Sequence, residues 1–169
     1  QIKIAMGHSL ADREWVPRGH SIEFRINAED ASKNFMPVPG TITEYREPIG
    51  NGVRVDGWAR PGTHISHFYD NLIAKLVVWG NDRNEAIEVG QRCLSEFVVL
   101  GIPTTIDPIL QIISSDAFSK GLVHVNYIEE NLDLFIENEP KEEVGQGKSE
   151  TVNISLDDTL SDNFSPKMP

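Results

Sequence analysis

The sequence predicts an α+β fold in which helices pack on an antiparallel sheet, followed by a disordered acidic tail. Strand patterns separated by turn sequences occupy residues 20–80, whereas residues 81–135 carry apolar side chains at helical spacing. From residue 137 the apolar pattern stops, and eight acidic residues stand against three lysines. Such a composition buries too little apolar surface to offset its ordering entropy. We therefore expect a folded domain over 1–136 and a linker or disordered tail over 137–169.

The first strand is predicted over His20–Asn27, where apolar and polar residues alternate. Ile22, Phe24 and Ile26 form the apolar face of a half-buried strand. The polar face consists of Ser21, Glu23, Arg25 and Asn27. Antiparallel sheets commonly solvate such a face, but the same residues could also line a binding site.

Three further strands are predicted from turn sequences and apolar runs. The turn sequence "PVPG" precedes Thr41–Arg46, and "PIGNG" precedes Val53–Val55, which extends towards Trp58. The short apolar run Leu72–Gly80 ends at a glycine and is predicted to be a buried strand. We expect the strands to pair as an antiparallel meander, preceded by a short helix over Gln1–Met6.

Three helices are predicted after the strands. The first begins at a cap, Asn81 or Asp82, and ends before Gly101. The second begins near Thr104 or Thr105. Its inward side chains are expected to be Ile109, Ile112 and Ile113. The third is short and covers "VNYIEENLDLF".

Composition excludes several classes of protein. The formal net charge of −11 argues against a surface for nucleic acid or anionic membrane, because phosphates would be repelled. The single cysteine, Cys93, excludes an internal disulfide framework and fits a reducing compartment. No apolar run approaches the roughly 20 residues of a membrane span. We expect a cytoplasmic protein or, if the source is eukaryotic, one of the mitochondrial matrix or plastid. Since "QIKIAMG" has the pattern of a helix in mid-course, we interpret the chain as part of a longer polypeptide.

The sequence predicts no metal site, no catalytic nucleophile and no phosphate-binding loop. Structural zinc needs four N or S ligands in close pairs, and the five histidines form no i, i+4 pair. No serine lies in a G-x-S-x-G elbow, and Cys93 falls inside a predicted helix. The glycines of "GNGVR" lack both a P-loop lysine and a following helix. A self-contained nucleotide hydrolase is therefore not expected.

Arg54 and Asp56 are predicted to project from one face of their strand, because Val53 and Val55 point the other way. An arginine beside the polar face of the first strand would make a wall suited to an oxyanion or a carboxylate. The alternative is a surface ion pair of Arg54 with Asp56 or Glu23, which would contribute little to stability. The pattern favours neither interpretation.

Lys75 is a charged residue inside the otherwise apolar run Leu72–Gly80. Burial of a lysine is costly unless a carboxylate pairs with it, and Asp70 is the candidate partner. A structural ion pair that fixes the preceding loop to the sheet is favoured over a role in chemistry.

Five stretches occur in one order along the chain: "RGHSIEFRINAED", "NFMPVPGTITEYREP", "GVRVDGW", "YDNLIAKLVVWGNDRNEAI" and "VVLGIPTTID". Together they resemble the C-terminal domain of biotin carboxylases, the ATP-dependent components of acetyl-CoA, propionyl-CoA, pyruvate and related carboxylases. The likeness extends from Gln1 to about Phe135. An ordered set of this kind is far more specific than any one of its motifs.

The resemblance implies an ATP-grasp enzyme of three parts, of which this chain is the C-terminal one. In that family ATP activates bicarbonate to carboxyphosphate, which yields the CO2 that carboxylates biotin on a carrier protein. The residues that hold the ATP phosphates and Mg2+ belong to the upstream parts. We therefore expect the isolated chain to be inactive, although the full-length protein is a ligase.

The resemblance also assigns roles to individual residues. Arg54 matches the arginine of the family's "GVR" strand, which lies against biotin and stabilises negative charge on its ureido oxygen. The expected supporting shell is Glu23, Arg25 and Asn27. Val125 and Asn126 match an isoleucine–histidine pair that closes over the adenine of ATP in some members. Asparagine replaces the histidine here, and a shift of two places would bring His124 to that position.

Partners follow from the same resemblance. Arg83 matches a position at the homodimer interface, although Leu100 stands where an acidic residue often occurs. The other expected partners are the upstream ATP-grasp portion, the biotin carboxyl carrier protein and the carboxyltransferase that selects the acyl acceptor. No nucleic acid and no membrane are expected as partners.

An alternative from a different class is a non-catalytic dimerisation or regulatory module of the same fold. Retention of Arg54 argues against it, because a scaffold need not keep that cation. Another ATP-grasp ligase, such as a purine-biosynthesis carboxylase, is disfavoured by the "EFRINAED" and "PVPG" stretches. Lys167 lacks the Ala-Met that precedes a biotinylated lysine and is not interpreted as the biotin site.

Overall fold

The computed structural model of the chain describes residues 1–11 and 16–136. Its strands are β1 (His20–Asn27), β2 (Glu29–Asp30), β3 (Met36–Pro37), β4 (Gly40–Thr41), β5 (Glu44–Arg46), β6 (Val53–Gly57), β7 (His64–Ile65), β8 (Leu72–Gly80) and β9 (Val98–Leu100). Its helices are α1 (Ile2–Ala5), α2 (Arg83–Glu96), α3 (Ile106–Ile113), α4 (Asp116–Ser119), α5 (Tyr127–Glu130) and α6 (Asp133–Ile136), with a 3-10 turn at Ala31–Lys33. The predicted tail, 137–169, lies outside the described residues.

The main sheet has three antiparallel strands in the order β1-β8-β6, so that β8 lies in the centre. β8 pairs with β1 from Gly80 opposite His20 to Leu72 opposite Asn27. The alternation predicted for β1 is confirmed, since Phe24 and Ile26 are buried. Leu76 and Val78 of β8 bury their side chains on the same side of the sheet. The rest of the core packs on this face.

The expected meander is confirmed only in part. The third and fourth predicted strands, β6 and β8, pair with each other, but β1 pairs with β8 instead of with the Thr41–Arg46 segment. The predicted strand Thr41–Arg46 is instead two short strands, β4 paired with β7 and β5 paired with β9. The chain changes partner between two adjacent residues. The amide of Ile42 donates to the Thr63 carbonyl oxygen, and that of Thr43 donates to the Leu100 carbonyl oxygen. Because the Ile42 side chain is fully buried, the position at which the chain changes partner is held in the core.

α2 begins as predicted, at Asp82, whose side chain accepts a hydrogen bond from the Glu85 amide at 2.9 Å. It ends at Glu96 rather than just before Gly101. The intervening residues, Val98–Leu100, form β9 and pair with β5. The β-branched valines suit a strand, and pairing with β5 satisfies backbone groups that a longer helix would have satisfied internally.

The helices cover the buried face of the main sheet. α2 packs against β8 and β1, and α3 packs against α2. Gly90 permits close approach, because a Cβ there would lie within 3.0 Å of both the Ile113 side chain and the Phe24 ring. Ile113 is buried as predicted, and Ile109 and Ile112 are half-buried on the same helix.

The third predicted helix is two short turns, α5 and α6. The break falls at Asn131, whose side-chain amide donates to the Tyr127 carbonyl oxygen at 2.8 Å. At the other end of the chain, α1 stops before Gly7, which has a φ of +88°. In the two described stretches, no helix combines the length and apolarity that crossing a membrane would require.

Thr105 joins the start of α3 to the end of β1. Its hydroxyl donates to the Arg25 carbonyl oxygen at 2.9 Å and accepts from the Asn27 amide at 3.0 Å. The Thr105 amide donates to the Asn27 carbonyl oxygen at 3.1 Å. These bonds satisfy the backbone where the register of β1 shifts, between Ile26 and Asn27.

Replacing Thr105 with valine is expected to lower the free energy of unfolding by roughly 1–3 kcal/mol, because buried backbone groups lose their partners. Thr105→Ser retains the hydroxyl and should lose less. The matched control is Thr104→Val, since the Thr104 hydroxyl accepts only one long bond, 3.4 Å from the Ile106 amide. Urea unfolding of the three variants measures the difference. Equal losses at positions 104 and 105 would contradict the role given to Thr105.

Candidate functional site

The solvent-facing side of the main sheet, called here the outward sheet face, carries three of the predicted site residues, Glu23, Arg25 and Arg54. Side chains alternate along each strand, so the residues between the buried ones emerge together. The outward sheet face consists of Ser21, Glu23 and Arg25 of β1, Lys75, Val77 and Trp79 of β8, and Arg54 and Asp56 of β6. It combines three cations, two carboxylates, one hydroxyl and two apolar side chains.

Arg54 extends from the edge strand of this face. Val53 and Val55 are half-buried against the core, and the Arg54 side chain is 67% exposed, as the alternation predicts. Its Nε donates to Asp56 Oδ2 at 3.1 Å, and its Nη2 lies 3.1 Å from the same oxygen. Of the two ion pairs considered from the sequence, the structure contains the one with Asp56.

Glu23 shares this face with Arg54 but does not adjoin it. Both residues are in register with Val77 of the central strand, one on each side. Two strand spacings therefore separate their Cα atoms, about 10 Å. Glu23 lies instead 3.7 Å from Lys75 Nζ. The lysine thus has a carboxylate partner, which is Glu23 and not the expected Asp70.

Asp70 and Asn27 act at the ends of strands. Asp70 Oδ1 accepts from the Leu72 amide at 2.8 Å at the start of β8. Asn27 is half-buried, and its side-chain amide donates to Glu29 Oε1 at 2.9 Å. Asn71 donates to the same oxygen at 2.8 Å. Asn27 thus reinforces the end of β1, while Arg25 stays on the outward sheet face opposite Lys75.

Sequence reasoning missed Glu29 and Asn71, which join the segments after β1 and before β8. The sequence does place Glu29 two residues after the predicted strand His20–Asn27 and Asn71 one residue before the predicted strand Leu72–Gly80. Using that placement would have required knowing that β1 and β8 are neighbours. Within this cluster the Asn27 Oδ1 atom is buried and has no hydrogen-bond partner among the described residues.

Val125 and Asn126 lie on a different part of the surface, just before α5. The Val125 side chain is 99% exposed, and Asn126 makes no side-chain capping bond to the helix. His124 Nε2 lies 3.4 Å from Glu130 Oε2 and packs edge-on against Tyr127. An exposed apolar group and an amide thus stand side by side.

Arg83 is held by contacts within the chain. Its Nη2 donates to the Phe118 carbonyl oxygen at 2.6 Å, and its guanidinium lies 4.9 Å above the centre of the Phe118 ring. Nη1 lies 3.4 Å from His20 Nε2. These contacts join the first turn of α2 to α4 and to the start of β1, and they leave the residue half-buried.

The outward sheet face has a formal charge of +1, because three cations stand against two carboxylates. Over residues 1–11 and 16–136 no three His, Cys, Asp or Glu side chains cluster in a way that could hold a metal ion. Behind β6, Tyr45 donates to Glu47 Oε1 at 2.9 Å. Burial, and then this bond, raises the pKa of Tyr45 well above its usual value, so that its hydroxyl stays protonated.

Comparison with known proteins identifies one family. The family model for the biotin carboxylase C-terminal domain matches residues 23–130. Biotin carboxylase 1 of Bacillus subtilis is 47% identical over 131 residues, which are 76% of this chain and 29% of that protein. A pyruvate carboxylase subunit of Methanothermobacter thermautotrophicus is 46% identical over 132 residues, 77% of this chain and 27% of that protein.

A crystal structure has the same fold. It is the biotin carboxylase domain dimer of Hydrogenobacter thermophilus 2-oxoglutarate carboxylase, in complex with MgADP, ADP and bicarbonate. It matches with a TM-score of 0.74 and 38% identity, over 79% of this chain and 30% of that one. The chain therefore spans less than a third of the length of each of these three proteins.

Gly52 sets the position of the strand that carries Arg54. Its φ is +70°, and its carbonyl oxygen accepts from the Trp79 amide at 2.8 Å. A Cβ at this position would overlap the Trp79 carbonyl oxygen. The turn can therefore meet β8 closely only if residue 52 is glycine.

Gly52→Ala is expected to destabilise the chain more than Gly62→Ala. Both positions have positive φ, +70° and +87°, so both substitutions carry the cost of left-handed backbone, about 1–2 kcal/mol. Only position 52 adds a backbone overlap, because nothing lies within 4 Å of a Cβ at position 62. Free energies of unfolding from urea denaturation test the difference. Equal values would mean that the turn before β6 can move away from β8 without cost.

Proposed function

The chain belongs to the biotin carboxylase C-terminal domain family, and from this premise we propose that it forms the C-terminal part of an ATP-dependent biotin carboxylase. The proposed reaction is the bicarbonate- and ATP-dependent carboxylation of biotin on a carrier protein. The observation that carries the proposal is the exposed guanidinium of Arg54 on the outward sheet face, in a chain of this family. The upstream ATP-grasp portion would supply the residues for ATP and Mg2+.

The proposed role of Arg54 is to stabilise negative charge on the ureido oxygen of biotin. When the N1′ proton of biotin is removed by a base, negative charge is delocalised onto that oxygen, which is neutral in the ground state. The resulting enolate-like ureido anion then attacks CO2 through N1′. A permanently charged guanidinium favours the charged state over the neutral one, so it lowers the barrier rather than merely binding substrate. Exposure of the side chain leaves room for biotin to approach it.

Supporting roles are proposed for the neighbouring residues. Glu23 and Arg25 share the outward sheet face with Arg54, and Asn27 reinforces the end of their strand through Glu29. Val125 and Asn126 are proposed to meet the adenine of ATP, because an exposed apolar side chain and a neighbouring amide suit the face and the edge of a base.

The proposed partners are the upstream portion, the carrier protein, a carboxyltransferase and a second copy of the protein. A homodimer is supported by the dimer described for the 2-oxoglutarate carboxylase domain. Arg83 would contribute to it by fixing α4 against α2, since its guanidinium is already bonded to Phe118. A reducing compartment such as the cytoplasm is proposed because Cys93 is unpaired and buried.

Arg54→Ala in the full-length carboxylase that contains this chain is expected to lower the rate of biotin carboxylation about 100-fold or more, because a preorganised donor to the developing oxyanion is lost. Bicarbonate-dependent ATP cleavage should fall far less, since it precedes the step that Arg54 assists. Both rates are measured on the same preparation, by fixation of labelled bicarbonate into biotin and by phosphate release.

Arg46→Ala is the matched control, because Arg46 is also an exposed strand arginine but belongs to β5, outside the main sheet. It should leave both rates near those of the wild type. Equal loss of the two activities in Arg54→Ala would contradict the role given to Arg54. No loss of either would favour the alternative, a non-catalytic dimerisation or regulatory module.

A further inference from the structure

We propose that Asp56 is a positioning residue, which holds the Arg54 guanidinium by one edge and leaves the other edge for the substrate oxyanion. The inference rests on the proposed function of Arg54 and adds a second residue to that site. Asp56 itself touches no reacting atom. It acts by restricting where Arg54 points.

The geometry of the pair uses one side of the guanidinium. Arg54 Nε donates to Asp56 Oδ2 at 3.1 Å, and Nη2 lies 3.1 Å from the same oxygen. A guanidinium carries five N–H donors in a planar fork. The Asp56 carboxylate therefore engages the side edge, made by Nε and one hydrogen of Nη2. Both hydrogens of Nη1 and the second of Nη2 stay available at the end of the fork for an anionic oxygen.

Arg54 needs such a restraint because its setting leaves it mobile. Its side chain is 67% exposed, on a strand at the edge of the main sheet, and an arginine in that setting samples many rotamers. Electrostatic catalysis requires the donors to be in place before charge develops, within about 0.5 Å of the productive position. Asp56 is two residues along the same strand, so its side chain emerges on the same face as Arg54.

The other charges of the outward sheet face are arranged so that this pair forms. Lys75 is in register with Asp56 and could compete for its carboxylate, but its ammonium lies 3.7 Å from Glu23. Glu23 could compete for Arg54, but Val77 stands between them in the central strand. Lys75 and Arg54 therefore each have their own carboxylate, and the two pairs lie side by side across the sheet.

The exposure of both side chains allows a positioning role of Asp56 to be distinguished from a structural one. The Asp56 side chain is 51% exposed, and ion pairs between exposed residues add little to the stability of a protein. Loss of Asp56 should therefore be visible in catalysis and not in unfolding. A residue with a merely structural role would show the reverse.

The test is a double-mutant cycle in the full-length carboxylase, with Asp56→Asn, Arg54→Ala and the double variant. Asp56→Asn is expected to lower kcat for biotin carboxylation about 10-fold, with little change in KM for biotin, because the transition state is affected more than the ground state. Asp56→Glu should restore part of the loss. In the Arg54→Ala background, Asp56→Asn should have no further effect, since there is nothing left to position.

Asp116→Asn is the matched control, because it makes the same chemical change in another exposed ion pair, Lys120–Asp116 at 2.7 Å on α4. It should leave kcat unchanged, and both Asp→Asn variants should unfold at the wild-type midpoint. The proposal is overturned if Asp56→Asn keeps full activity, if its loss persists in the Arg54→Ala background, or if it unfolds earlier than Asp116→Asn. Full activity of Arg54→Ala would instead contradict the proposed role of Arg54, and with it the positioning role of Asp56.

Discussion

The pairing of β8 with strands on both sides is the constraint on which the rest of the structure depends. Leu76 and Val78 point into the core beside Phe24 and Ile26, and the residues between them point outward. Because the side-chain period of a strand is two, a slip of one residue would exchange the two faces. The same register that buries the core therefore places Lys75 and Val77 among the charges. The core and the candidate site therefore lie on opposite faces of the same three-stranded sheet.

Charge separation on the outward sheet face follows from this register. Val77 is in line with Glu23 on one side and Arg54 on the other, and its apolar side chain keeps those opposite charges apart. Lys75 occupies the neighbouring row and takes Glu23 as its partner. An uncharged residue between two charged strands thus decides which ion pairs form. The result is an arginine that is partnered on one edge and still open to solvent.

Local patterns in the sequence predicted what depends on neighbours along the chain, and they failed where distant segments meet. The alternation in β1, the cap at Asp82 and the outward direction of Arg54 could all be predicted, because each depends on a few adjacent residues. The partner of Lys75 and the change of partner after Ile42 could not, since both depend on the order of strands in space. The end of α2 was misplaced for the same reason. Val98–Leu100 continues the helical pattern of α2, yet it forms a strand because its valines suit one and β5 lies beside it.

The strand order also favours one order of strand pairing as the chain folds. A short segment connects β6 to β8, so these two strands can pair early. β1 pairs with residues much further along the chain, such as Gly80 opposite His20, so its pairing closes a longer loop. Until β8 emerges from the ribosome, β1 lacks the strand with which it pairs in the folded chain. Exposed strands of that kind are where nascent chains associate with one another. Chaperone capture during synthesis is therefore most useful while the segment between these two strands is still being made.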